Sequence, residues 1–200
     1  MNSDPKINSL LDQANQMFLK KKFQEAISFY DEILKSEPNH IAALNNKGYA
    51  LSKSGNYHDA LFCYDSALKM QSDDLPLLIN KISTLRKLKD FAVALDLCNK
   101  ILNCNPDYNV VLYHKERILS SLGKFEESVS CCDKILLDYP KNGDVLYDKA
   151  KNLAKLENIE LCLQTLEHAI SVQNHFKIKA KNNKSFANIL DDKRFQKITS

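Results

Sequence analysis

The sequence predicts an all-α solenoid of five helix-turn-helix units closed by a C-terminal capping segment. Three observations carry this. A period of 34 residues runs through most of the chain. Each period holds two stretches whose apolar residues fall three and four apart, the spacing of one helix face. Turn chemistry is sparse, with 4 Gly and 5 Pro in 200 residues, whereas a many-stranded β protein needs such residues at its hairpins.

The period is read by stepping along columns. Ala26, Ala60, Ala94, Ser128 and Cys162 are all small. Phe23, Tyr57, Phe91, Phe125 and Ile159 are all large. Leu10, Leu44, Leu78, Leu112 and Leu146 do not vary, and Met17, Leu51, Leu85, Leu119 and Leu153 stay aliphatic. Leu34, Leu68, Leu102, Leu136 and Ile170 close the set. The units predicted are about 7–40, 41–74, 75–108, 109–142 and 143–176, with 177–200 left as a basic cap.

Within a unit the elements follow in order. Leu44, Gly48 and Leu51 form the stripe of a first helix, here called helix A. Ser54-Gly55-Asn56 breaks it, since Gly is the usual residue just past a helix end. Tyr57, Ala60, Leu61, Tyr64 and Leu68 form the stripe of helix B. Pro38, Pro106 and Pro140 follow helix B, which Pro cannot continue. The small column belongs where the two helices cross closely. A single unit cannot bury its own stripe, so the units must stack. Beyond the period, Ala180, Phe186, Ile189, Leu190, Phe195 and Ile198 pattern a tail that covers the last apolar edge.

Charge and cysteine content narrow the function classes. The chain is 44% hydrophobic and 26% charged, enough for a packed core. Net charge is +3, divided as +5 in residues 177–200 and −2 before them. The body is therefore no trap for a phosphate backbone, and only the tail offers an anionic surface anything. The start, Met1 to Lys6, lacks the basic and apolar regions of a leader. No run reaches the roughly 18 apolar residues of a membrane span. The expectation is a cytoplasmic protein without a membrane segment. Cys63, Cys98, Cys104, Cys131, Cys132 and Cys162 form no Cys-x-x-Cys pair. They read as reduced packing residues and not as metal ligands. No nucleophile elbow, phosphate-cradling loop or His-Glu-x-x-His occurs. The reading is that of a non-enzyme with no cofactor and no metal.

A 34-residue helical pair with a small residue in helix B, an aromatic just before it and a Pro near its end resembles the tetratricopeptide-repeat (TPR) family. The likeness is best in the second unit, from Ala42 through Gly55-Asn56-Tyr57 to Ala67-Leu68-Lys69. It departs in the fifth, which has Glu157 for Gly and Asn174 for Pro. The tail is similar to the capping segment of prokaryotic members. The resemblance implies a right-handed superhelix with helix A lining a concave groove that binds partner proteins. Groove columns on helix A are then Asp12, Asn46, Asn80, His114 and Asp148; Asn15, Tyr49, Ser83, Arg117 and Lys151; and Leu11, Asn45, Ile79, Tyr113 and Tyr147. The ligand positions expected among them are Asn15, Asn46, Tyr49, Asn80, Tyr113, His114, Arg117, Tyr147 and Lys151. An Asn both donates to and accepts from a peptide backbone, and Tyr adds apolar area with a polar tip. The competing reading of these amides is a surface that holds only water. Arg117 and Lys151 suggest an acidic residue in the ligand. The carboxylate clamp of some members is missing, because Leu11, Pro76 and Asn80 stand where its cations belong. The function expected is a protein-interaction scaffold binding a peptide or helix. The alternative is nucleic-acid or other anionic-surface binding through the basic tail.

Overall fold

The computed structural model describes residues 4–200. Residues 1–3, part of the N-terminal segment read as lacking leader features, lie outside them. Among the described residues the regular elements are all helical. Five A/B pairs follow in order: α1 (Pro5–Leu19) and α2 (Phe23–Ser36), α3 (Ile41–Ser54) and α4 (Tyr57–Leu68), α5 (Leu75–Leu88) and α6 (Phe91–Cys104), α7 (Asn109–Ser121) and α8 (Phe125–Asp138), α9 (Gly143–Lys155) and α10 (Ile159–Val172). The tail adds α11 (Phe176–Lys181), a 3-10 helix at Lys184–Ile189 and α12 (Lys193–Thr199). No helix among the described residues is long and apolar enough to cross a membrane.

The large column opens each helix B, since Phe23, Tyr57, Phe91, Phe125 and Ile159 are the first residues of α2, α4, α6, α8 and α10. The small column is fully buried, with Ala26, Ala60, Ala94, Ser128 and Cys162 all at 0% exposure. The A-to-B turn repeats its backbone as well. Lys21, Gly55, Lys89, Gly123 and Glu157 all have positive φ, between 58° and 92°. That left-handed residue ends helix A and turns the chain into helix B. Side-chain caps start α3, α5 and α9, whereas Tyr108 before α7 makes no such bond. His40 Nδ1 accepts from the Ala43 N–H at 3.1 Å, Asp74 from Leu77 at 2.9 Å and Asn142 from Val145 at 3.2 Å. Such caps satisfy N–H groups that the first helical turn leaves without partners.

Packing divides the chain into two compact units, Met1–Leu97 and Cys98–Ser200, with the division falling inside α6. The boundary expected from the sequence, at 176/177, is where the 34-residue period stops. In the first unit α1 packs on α2, α2 on α3, α3 on α4 and α4 on α5. Its core holds Ile7, Leu10, Tyr30, Ile33, Leu44, Leu51, Tyr64 and Leu77. In the second unit α7 packs on α8, α8 on α9 and α9 on α10, while the tail lies on both α9 and α10.

The tail departs from expectation at two residues. Phe186, Phe195, Ile189 and Ala180 are buried, but Leu190 is 41% exposed. It ends the 3-10 helix and turns outward. Phe176, read only as the end of the period, is instead a buried part of the cap. Its ring stacks on Tyr147 with centroids 4.8 Å apart.

Candidate functional site

In the first unit the amides gather into a chain. Asn80 Nδ2 donates to Asn45 Oδ1 at 2.9 Å, Asn45 Nδ2 to Asn46 Oδ1 at 3.4 Å and Asn46 Nδ2 to Asn15 Oδ1 at 3.2 Å. The Tyr30 hydroxyl, from helix B, also donates to Asn15 Oδ1 at 2.7 Å. The chain links α1, α3 and α5, three successive A helices. The inter-helix bonds of this ladder join residues 31 and 35 apart in the chain, so they cross between neighbouring columns instead of following one column at the period. All four asparagines are half-buried. Each Nδ2 of Asn45, Asn46 and Asn80 uses one of its two hydrogens in the ladder. Tyr49 stands beside it, with the Phe18 ring 5.2 Å away and Lys53 over its face.

In the second unit the groove columns meet buried acids. Arg117 lies over the Tyr113 ring, 4.4 Å from its centroid, and His114 sits against that ring's edge. Arg117 Nη2 donates to Asp148 Oδ2 at 3.0 Å, and its Nε lies 3.3 Å from Glu116 Oε1. Lys151 Nζ is 2.6 Å from Asp148 Oδ1. Both cations expected to meet an acidic ligand therefore share Asp148, which is only 6% exposed. Burial pushes the Glu116 carboxyl up to about 8, and the nearby Asp148 charge pushes the same way. Arg117 and Lys151 oppose the shift but do not cancel it. At neutral pH Glu116 is mostly protonated, so the four groups carry one net positive charge. A buried relay lies beneath them. Ser120 donates to Asn152 at 2.6 Å, Asn152 to Ser128 at 2.8 Å and Ser128 to the Glu116 carbonyl at 2.8 Å.

Tyr147 is the one expected groove residue that the structure removes. It is 1% exposed, stacked on Phe176, edge-on to Phe186 and hydrogen-bonded at its hydroxyl by Asn183 Nδ2 at 3.2 Å. The tail lies on this position of α9, so Tyr147 is a core residue. Glu116 and Asn45 were not among the expected site residues. The signal for Glu116 was its column, Ala14, Gly48, Ile82, Glu116 and Ala150, where every other member is Gly or apolar.

The cationic tail is partly neutralised within the fold. Arg194 pairs with Glu160 of α10 and with Asp192, Lys177 donates to the Ser200 carbonyl, and Lys179 lies over the Tyr147 ring. These contacts weaken the anionic-surface alternative. Five cysteines are buried; Cys104 is exposed and so is not the packing residue expected of it.

Residues 41–74 match the profile of the family described as Tetratricopeptide repeat. No curated protein matches the chain. Among solved structures the chain is similar to YrrB, described as a TPR protein with an unusual peptide-binding site. Identity is 22% over 87% of this chain and 91% of that one, with a TM-score of 0.69. It is similar to MamA from Desulfovibrio magneticus RS-1, at 16% identity over 86% and 97% of the two chains and a TM-score of 0.78. A tetratricopeptide repeat protein from Parabacteroides merdae aligns at 21% identity over 93% and 78%, with a TM-score of 0.74. Identities this low speak for the fold alone.

Proposed function

Starting from a chain of the tetratricopeptide-repeat family, we propose that it is a non-catalytic interaction scaffold whose A helices hold an extended segment of a partner protein. The observation that carries this reading is the asparagine ladder across α1, α3 and α5. A row of amides matches the repeating C=O groups of an extended peptide and reads backbone more than sequence. The ladder also fixes the side chains in place, so little rotamer entropy is lost on binding. The peptide-binding site in the description of YrrB is consistent with the reading. In the second unit, the net positive charge around Arg117 and Lys151 favours an acidic side chain, which must compete with Asp148 for them. A cytoplasmic setting fits the buried cysteines, which serve as small apolar residues when reduced.

The test is to identify a partner by crosslinking in the native cell and titrate it against variants. Asn46→Ala with Asn80→Ala is expected to cost about 1–3 kcal/mol of affinity. Arg117→Ala is expected to weaken binding and flatten its salt dependence. Lys35→Ala, exposed on α2, is the control. Parental affinity in all the helix A variants would show that the partner docks elsewhere.

A further inference from the structure

Helix B of one repeat is tied to helix A of the next by a recurring ion pair. Lys47 meets Asp31 at 2.6 Å, Lys81 meets Asp65 at 2.5 Å and Lys149 meets Asp133 at 2.6 Å. The remaining member of this register reads Lys115 and Asn99. Asparagine brings no charge, and Lys115 makes no ion pair among the described residues. Lys115 is nonetheless half-buried. A lysine withdrawn from water without a counter-charge is a cost that the other three pairs avoid.

Lys115 lines a cavity of about 280 Å³ between the end of α6, α7 and α8. Leu102, Leu112 and Leu119 line its apolar floor, and Lys134 stands at the exposed rim. The acid on that rim, Glu127, is already paired with Lys124 at 3.1 Å. The cavity thus offers two cations over an aliphatic floor. One repeat later the same register forms a second cavity, with Leu136 and Leu146 for Leu102 and Leu112 and Lys149 for Lys115. There the lysine is neutralised by Asp133. The molecule therefore contains its own control, with a similar pocket and a different charge.

We propose that the cavity at Lys115 binds an acidic side chain of a partner protein, with a neighbouring aliphatic side chain on the leucine floor. The carboxylate takes the place that Asp31, Asp65 and Asp133 fill in the other repeats. The exposed rim admits a side chain from a body that stays outside, which is why the occupant belongs to a protein. None of these residues belongs to the asparagine ladder or to the Arg117 cluster, so this site stands or falls independently of them.

The test is an NMR titration of the full chain with the blocked dipeptide acetyl-Leu-Glu-amide. Shifts are expected around Lys115, Leu119 and Cys131, with the Leu-Gln counterpart at least tenfold weaker. Asn99→Asp restores the acid of the other repeats. It is expected to weaken the Leu-Glu probe at least tenfold while the melting temperature stays at or above the parent's. Equal binding of the two dipeptides, parental binding by Asn99→Asp, or no shift at Lys115 at millimolar probe overturns the proposal. Tighter binding of free 4-methylpentanoate than of the dipeptide overturns the assignment to a protein side chain.

Discussion

At the scale of single residues, Glu116 shows how a repeat accommodates an exception. Its column is buried in every repeat. At Gly48 an added Cβ would lie 2.8 Å from the Tyr64 ring, so the helix crossing leaves little room. A carboxyl in that setting keeps its proton, and its folded value of about 8 stands above the ordinary 4.5. A raised value means the stabilising contribution is full below about 4.5 and is lost as pH rises through about 8. Asp148 and Lys151 of α9 and Arg117 of α7 are the charges facing it. Glu116→Gln keeps the shape and removes the titration. The parent is expected to melt at least about 3 °C below the variant at pH 9, relative to their difference at pH 5. Parallel pH profiles in calorimetry would mean that the carboxyl titrates normally. Ala94→Arg is expected to cost about 3 kcal/mol or more, because a fully buried methyl is replaced by a long charged chain. An unchanged melting temperature would refute the register of the small column.

At the scale of elements, the turns and the cap each carry a testable strain or contact. Three A-to-B turns place a residue with a side chain at positive φ: Lys21 at 60°, Lys89 at 65° and Glu157 at 58°. Such a residue bears a steric cost of about 1–2 kcal/mol, and Gly removes it at a smaller entropic cost. Glu157→Gly is therefore expected to stabilise the fifth repeat by about 0.5–1 kcal/mol. A lower melting temperature would show that the Glu157 side chain supplies a contact worth more than the strain. The cap works through aromatic burial. Phe176, Phe186 and Phe195 cover Tyr147 and the apolar faces of α9 and α10. Truncation after Val172 uncovers them, and exposed patches of this kind drive association. Light scattering of the truncated chain should show self-association that grows with concentration. A monodisperse and equally stable monomer would count against the cap.

At the scale of the molecule, the two packed units carry different surface chemistry on the same repeat. The first presents neutral amides, and the second presents cations held by buried acids. The five buried cysteines are distributed through both and are kept from reacting by packing, whereas Cys104 is exposed. Burial raises the Cys63 thiol to about 11 and those of Cys98 and Cys162 to about 12. Since the thiolate is the nucleophile, native alkylation at pH 8 should place one adduct per chain, on Cys104. Mass spectrometry should find all six modified in denaturant. Rapid native labelling of Cys98 or Cys132 would contradict their burial. Replacing those two together with Ala is expected to leave partner affinity unchanged at a modest loss of stability.

The repeat, the helix-pair units and the small and large columns were determined by the sequence itself. Each depends on spacing along the chain: a stripe at three and four, a break such as Ser54-Gly55-Asn56, a step of 34 to the next unit. Such features are one-dimensional, because every repeat packs on its neighbours in the same way. What only the tertiary structure decided is whether a polar or aromatic side chain on helix A faces solvent. Tyr147 has the same register as Tyr113, yet the tail covers one and not the other. Nothing periodic announces that, since the tail has left the period. Arg117 and Lys151 read as open cations until α7 and α9 place both against Asp148. Asn15 and Asn46 read as separate amides until neighbouring helices join them. The partners of these groups lie on other helices, and polar contacts across helices depend on positions that the packing columns leave free to vary. Sequence spacing therefore settles the scaffold, and tertiary packing settles which of its groups remain to bind.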